Sequence, residues 1–304
     1  MTVTDAFEMG LPGPVDVPGS LEPFGRWGDD LMDRWDGVRS LRTLPVGGQY
    51  VAYQCVLTGT IDQPSVRVTV ENPDWVDAVR EAILSTFLVP PPQFTELLRV
   101  DPVVARLDAL YPGLRPVRQF DLLGALVRSI SAQQVNLTWA ATTRRRLAER
   151  FGERHEVEGE DVYSLRAERL ASASVSEIRD LQFTTRKAEY IVGVAEAIAG
   201  GRLNLVGLAS LSDDEVVARL TSLRGIGLWT AEWILARTLG RPRVVAGDLG
   251  VRKAVGLAYL GKSLPPEAEV HGATVHWGAS AGVAQQLLLH GLSKGLLGEC
   301  RNTP

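Results

Sequence analysis

The sequence predicts an α+β chain, with a small N-terminal antiparallel β-sheet domain followed by a helical body. Two observations carry this. The runs Tyr50-Val-Ala-Tyr-Gln-Cys-Val-Leu and Ser65-Val-Arg-Val-Thr-Val alternate in the manner of half-buried strands. After Pro90-Pro91-Pro92 the character turns helical almost to the end, with Gly or Pro marking most joins. A length of 304 residues suits two domains. The expected division is a β-rich part with covering helices over 1–115 and a helical part over 116–304.

The totals exclude several classes. Hydrophobic content of 45% and charged content of 22% are ordinary for a soluble globular protein. A formal charge of −4 argues against a binder that relies on overall positive charge, and leaves room for a local basic face. Cys55 and Cys300 are the only cysteines, so neither a cysteine-bound zinc or iron–sulfur centre nor a disulfide framework is expected. That usage fits a reducing cytosol. The N-terminus lacks a basic-then-apolar signal layout, and no apolar run is long enough for a bilayer. A cytoplasmic protein without membrane contact is therefore expected.

Residues 1–36, rich in Gly, Pro and Asp, read as partly irregular with one or two strands. Gly47-Gly48 offers a hairpin turn between strands. Pro73-Asp74-Trp75 opens a helix over Val76 to Leu88 that covers one face of the sheet. Further helices are expected at 93–99, 101–110, 120–132, 137–151, 162–172, 175–180, 186–199, 212–222, 229–239, 249–259 and 279–297.

The stretch from Leu223 to Lys253 is the richest in chemistry. Ser212 and Glu215 form a capping box that starts a helix. Gly225-Ile226-Gly227 then turns the chain, with Ile226 as the core anchor. The outward N–H groups of such a turn, beside a helix N-terminus, make a phosphate-sized nest, although most Gly-x-Gly sequences are plain turns. On the next helix Ala231, Ile234, Leu235 and Thr238 share the core stripe, while Trp229 and Trp233 lie together on the other side. A neighbouring helix covers that indole pair, or the pair lines a pocket for a flat aromatic or cationic ligand. Asp248 follows Trp229 by nineteen residues and opens the next helix. It is read either as a plain N-cap or as a carboxylate kept ionised by helix N–H groups.

Together these residues resemble the helix-hairpin-helix DNA glycosylases, named for a hairpin followed by a Gly/Pro-rich loop and an Asp. They look most like the 3-methyladenine DNA glycosylase II (AlkA-like) branch. Pro112-Gly113-Leu114-Arg115, Phe120, the run Leu126 to Val135 and Arg186-Lys187-Ala188-Glu189 extend the similarity to roughly Trp75–His290. The resemblance implies a monofunctional glycosylase that flips and excises alkylated purines from duplex DNA. It makes Asp248 the catalytic carboxylate and places Trp229 and Trp233 in the base pocket. Gln134 becomes the wedge that fills the gap left by the flipped nucleotide. The phosphate-binding hairpin falls on Leu223, Arg224, Gly225, Ile226 and Gly227, whose backbone, at Leu223 and Gly225, is expected to hold Na or K. Lys187 and Lys253, at helix starts, are further phosphate candidates. Arg144-Arg145-Arg146 is either a DNA contact or a solvated helix face. A monomer acting at the nucleoid is the corresponding expectation.

Two departures from the family pattern sharpen the expectation. Bifunctional members carry a Schiff-base lysine where this chain has Trp229, so no lyase activity is expected. Where the branch can place a further pocket aromatic, this chain has Ser280, which implies a wider or more polar pocket. His276 and Trp277 either compensate there or pack. His155, His271 and His290 show no metal-ligand spacing. The rival readings are an oxidised- or deaminated-purine glycosylase of the same superfamily and a non-catalytic hairpin module that grips DNA.

Overall fold

The computed structural model describes residues 5–298. Cys300 lies outside them, and Cys55 is a buried thiol of the sheet. The chain opens with β1 (Asp5–Gly10), α1 (Val17–Gly25), β2 (Arg34–Trp35), β3 (Arg39–Val46), β4 (Gln49–Leu57) and β5 (Ser65–Val70). The strands form an antiparallel five-stranded sheet in the order β1-β5-β4-β3-β2. Gly47 and Gly48 both adopt positive φ, 58° and 79°, and join β3 to β4 by a two-residue turn whose twist suits a hairpin. Helix α2 (Val76–Leu84) packs Val79 and Ile83 onto Tyr53, Val66, Val68 and Val70. It stops short of the expected Leu88 because Phe87 leaves the helix to bridge Val117.

The irregular reading of residues 1–36 missed α1. Asp16 caps it by accepting from Gly19 N at 2.9 Å, and Pro18 sits in its first turn, where no N–H is needed. The expected helix over 162–172 is likewise corrected. After α3 (Phe94–Val100), α4 (Pro102–Leu110), α5 (Leu122–Ala132) and α6 (Leu137–Phe151) comes a hairpin, β6 (Gly152–Val157) and β7 (Glu160–Leu165). Only α7 (Ala167–Ala171) of that helix forms. Glu158 and Gly159 turn the hairpin at positive φ. Val157 and Val162 bury against Leu41 and Ala52 of the large sheet. His155 locks the two together, its Nδ1 facing Glu71 Oε2 and its Nε2 facing Ser164 Oγ, both at 3.0 Å. Burial against the sheet overrides the helix-forming Glu and Arg of this stretch.

The remaining elements are α8 (Val175–Asp180), α9 (Thr185–Ala199), α10 (Leu205–Ala209), α11 (Asp213–Thr221), α12 (Leu228–Trp233), α13 (Leu249–Val255), α14 (Glu267–Thr274) and α15 (Ala281–Ser293). The Ser212–Glu215 capping box of α11 is present as read. Single π-helical turns, Ile234–Thr238 and Gly256–Leu260, extend α12 and α13.

The helical body has two cores. One unites α5, α9, Ile226 of the hairpin and the Ala231, Ile234 and Leu235 stripe. The other unites α13 and α15 with Phe94, Leu97, Val104 and Leu107. By core membership α3 and α4 therefore belong with the helical body, although they precede residue 115. The hairpin and α12 lean on the first core and α13 on the second, which leaves a seam between them. Among the described residues, no helix is long and apolar enough to cross a membrane.

Candidate active site

The hairpin forms one wall of the seam. Gly225 has φ 86°, and a Cβ there would sit 2.1 Å from the Tyr190 ring, so only glycine fits. Ile226, 4% exposed, pins the turn to the core as the sequence implied. Gly227, exposed and extended, is the N-cap of α12 and has no side-chain capping bond. The first-turn amides of a helix lack intrahelical acceptors, so this end is suited to an anion. Leu223 through Gly227, with Gln133 and Tyr190, line an open depression at this point.

Asp248 is the N-cap of α13. Its Oδ1 accepts from Gly250 N at 2.8 Å and Val251 N at 3.1 Å. Its Oδ2 accepts from the indole Nε1 of Trp229 at 3.0 Å and of Trp233 at 3.4 Å. The N-cap reading of Asp248 holds for Oδ1. One oxygen caps a helix, and the other is held by the paired indoles. A carboxylate offers about four lone-pair directions, and here each is taken by an N–H donor.

The indoles are half-buried and lie off the core stripe, as expected. Their tryptophan spacing places Arg237 on the same helical row, with its guanidinium 5.4 Å from the Trp233 ring centroid. Burial pushes Arg237 down to about 10, against the opposing pull of Asp248. The guanidinium donates to Gln286 Oε1 at 2.5 Å, while Gln285 Oε1 accepts from Val245 N at 2.8 Å. Two neighbouring residues of α15 thus fasten the segment that runs from the indoles to Asp248. Neither glutamine nor Arg237 stood out in the sequence, since long-range side-chain bonds leave no periodic signal.

The loop between α5 and α6 approaches the hairpin. Gln134 is exposed at φ 54°, a backbone that non-glycine residues seldom adopt. Gln133, not singled out in the sequence, donates from Nε2 to the Gly225 carbonyl at 3.0 Å. Arg224 is exposed, pairs with Glu189 at 3.0 Å and lies over the Tyr190 ring. Lys253 is exposed one turn into α13.

Lys187 is half-buried, and one N–H of its Nζ donates to the Ser131 carbonyl at 2.8 Å, while burial lowers its pKa. Two expectations change. Arg144 is neither a solvated residue nor an available DNA contact. It is 5% exposed and bonded to Asp30 Oδ2 at 2.8 Å and Ser131 Oγ at 2.9 Å. Its neighbours remain on the surface, Arg145 paired with Glu149 and Arg146 with Gln182. Ser280 is 1% exposed, in the core ahead of α15, and does not line an open pocket. A Cβ on Gly250 would meet Leu289, so the part of α15 near Asp248 lies nine residues beyond Ser280, about 13 Å along a helix axis. Trp277 is buried and donates from Nε1 to Asp101 Oδ2 at 3.2 Å, while the exposed His276 faces the same oxygen at 2.8 Å, beside the Tyr259 hydroxyl. Among the described residues no His, Cys, Asp and Glu cluster suits a metal.

Comparison with known proteins meets the same residues. The sequence model of the HhH-GPD superfamily of base excision DNA repair proteins matches residues 127–277, the span that holds Gln134, the hairpin, both indoles and Asp248. That span is an HhH-GPD domain. The chain is 29% identical over 186 residues to a DNA-3-methyladenine glycosylase of Bacillus subtilis (strain 168), covering 60% of this chain and 61% of that protein. The match thus spans less than two thirds of that relative. Among solved structures, the fold is similar to a 3-methyladenine DNA glycosylase from Archaeoglobus fulgidus, with TM-score 0.81, 24% identity, and 93% and 98% of the two chains covered. It is also similar to a Clostridium acetobutylicum 8-oxoguanine glycosylase/lyase in complex with double-stranded DNA, with TM-score 0.72, 18% identity and 93% of each chain covered. These structures support the fold.

Proposed function

We propose that this chain is a monofunctional DNA glycosylase of base excision repair, which flips alkylated purines of the 3-methyladenine and 7-methylguanine type from duplex DNA and leaves an abasic site. The observation that carries the reading is the Asp248 carboxylate, held in place by two amides of α13 and by the two indoles of α12, the helix that leaves the hairpin. The carboxylate faces the sugar of the flipped nucleotide. As the C1′–N bond breaks, its electron pair leaves with the base, and the oxocarbenium-like sugar is stabilised by the fixed negative charge. An alkylated purine already carries positive charge, so no strong general acid is required.

Because the four acceptor directions of Asp248 are occupied, charge rather than proton abstraction is its main contribution. Directing water to C1′ requires a donor to yield, and the 3.4 Å bond from Trp233 is the weakest of the set. Trp229 and Trp233 flank the base, Gln134 fills the vacated stack, and the hairpin from Leu223 to Gly227 with Lys253 meets the phosphates. A monovalent cation, Na or K, fits the hairpin backbone. The carbonyls of Leu223 and Gly225 each accept one bond, from Ile226 N and Gln133 Nε2, and a carbonyl oxygen has a second lone pair. Such an ion supplies positive charge for a phosphate. The protein acts as a monomer on nucleoid DNA in the cytoplasm.

Absence of lyase chemistry rests on Trp229, since an indole nitrogen cannot form the Schiff base that a lysine forms. Oligonucleotides that each carry one lesion test both parts. Free-base release from 3-methyladenine or 7-methylguanine duplexes, with strands that break only after alkali or heat, is expected. Release of oxidised purines alone, or strand breakage without treatment, would replace this reading with the glycosylase/lyase one.

A further inference from the structure

The segment between α5 and α6 carries Gln134 at its tip, and two long side chains fasten its base. Gln133 Nε2 reaches the Gly225 carbonyl at 3.0 Å, so the loop is bonded directly to the hairpin. Lys187 Nζ reaches the Ser131 carbonyl at 2.8 Å, in the last turn of α5, where a cation also meets the negative end of the helix dipole. The same turn of α9 supports the hairpin: Tyr190 fills the space beneath Gly225, and Glu189 pairs with Arg224. One stretch, 187–190, therefore holds both the phosphate-binding turn and the loop that displaces the base. Gln134 itself keeps a left-handed backbone, φ 54°, which persists only where the surroundings enforce it.

We propose that Gln133 and Lys187 are positioning residues that fix the Gln134 loop against the hairpin, so that phosphate grip and base displacement act as one rigid unit. The proposal rests on the glycosylase reading above. Phosphate binding can drive extrusion of a base only if the wedge does not retreat when it meets the stack. Without the two bonds the hairpin still binds DNA, while the wedge yields.

The test uses Gln133→Met, which keeps the length without charge and loses the donor, together with Lys187→Met and Lys187→Arg. Single-turnover release of 7-methylguanine is measured from a matched duplex and from a one-nucleotide bulge, where the lesion is already unstacked. Affinity for undamaged duplex is measured alongside. Gln133→Met and Lys187→Met are expected to slow the matched duplex tenfold or more and the bulge less than threefold, a contrast that a loss of affinity alone would not produce. Lys187→Arg, which keeps a donor, is expected to restore the matched rate. Equal losses on the two substrates, or an unchanged matched rate, would overturn the proposal. If the wild-type protein releases base from neither substrate, the glycosylase reading fails. Fluorescence of a 2-aminopurine in the bound duplex then still reads extrusion, and an unchanged signal in Gln133→Met overturns the positioning role.

Discussion

The indole N–H of Trp229 meets the carboxylate of Asp248 at 3.0 Å, across a seam between two separate helical cores. This contact makes the tryptophan more than a pocket wall: it orients the charged group. A donor to a charged acceptor is worth roughly 1.5–3 kcal/mol. Trp229→Phe keeps an aromatic face and removes the donor, so single-turnover excision is expected to fall about 10- to 100-fold while substrate affinity changes little. A rate within twofold of wild type would show that the helix amides alone orient Asp248.

Asp248→Asn tests the charge separately from the cap. Asparagine also accepts from the first-turn amides of a helix, so α13 should stay capped and thermal stability should move little. Base release is expected to drop at least 100-fold, with binding to abasic duplex retained. A non-catalytic DNA-binding module would instead show no release in the wild-type protein.

At the hairpin, Gly225→Ala introduces a methyl group into the Tyr190 ring and an unfavourable positive φ. A destabilisation of roughly 1–3 kcal/mol is expected, with weaker DNA binding. Tyr190→Ala removes the clash but leaves the backbone strain. The same glycine substitution should therefore be milder in that background, as a double-mutant cycle in chemical denaturation would show. Purely additive losses would remove the Tyr190 contact from the explanation.

Stability should also respond to pH at Asp121, the N-cap of α5, which accepts from Tyr50 at 3.2 Å. Burial pushes this carboxyl up to about 6, above the ordinary value near 3.9 of an unfolded chain. The folded state then binds the proton more tightly, so this contribution is present below about pH 4 and is lost as pH rises through about 6. Asp121→Asn keeps the cap and abolishes the titration. Relative to wild type it should gain in unfolding midpoint between pH 4.5 and 7. Asp30 acts in the opposite sense. Burial opposes its ionisation, but Arg128 and Arg144 prevail and hold it at about 2, so its contribution fades as pH falls below about 4. Parallel pH profiles for the two proteins would discount Asp121.

Much of the fold was legible because periodicity and capping are local. The Gly47-Gly48 turn, the alternating strands, the Ser212–Glu215 box and the buried stripe through Ala231, Ile234, Leu235 and Thr238 all form as read. Misreadings arose where packing overruled local preference. The β6–β7 hairpin forms because the large sheet covers Val157 and Val162, and α1 forms despite two prolines because Asp16 caps it.

By itself, then, the sequence determined the class of the chain, the glycine turn and the presence of a capping aspartate beside paired indoles. These depend on neighbours within a turn or two. Only the tertiary structure decided which groups serve the site and which serve the core. Arg144 is a cation whose charge is spent on Asp30, Lys187 gives a donor to the Ser131 carbonyl, and Ser280 is interior. Gln133 gained importance only by meeting Gly225. Such assignments depend on contacts between residues far apart in the chain, formed when two cores close around one carboxylate.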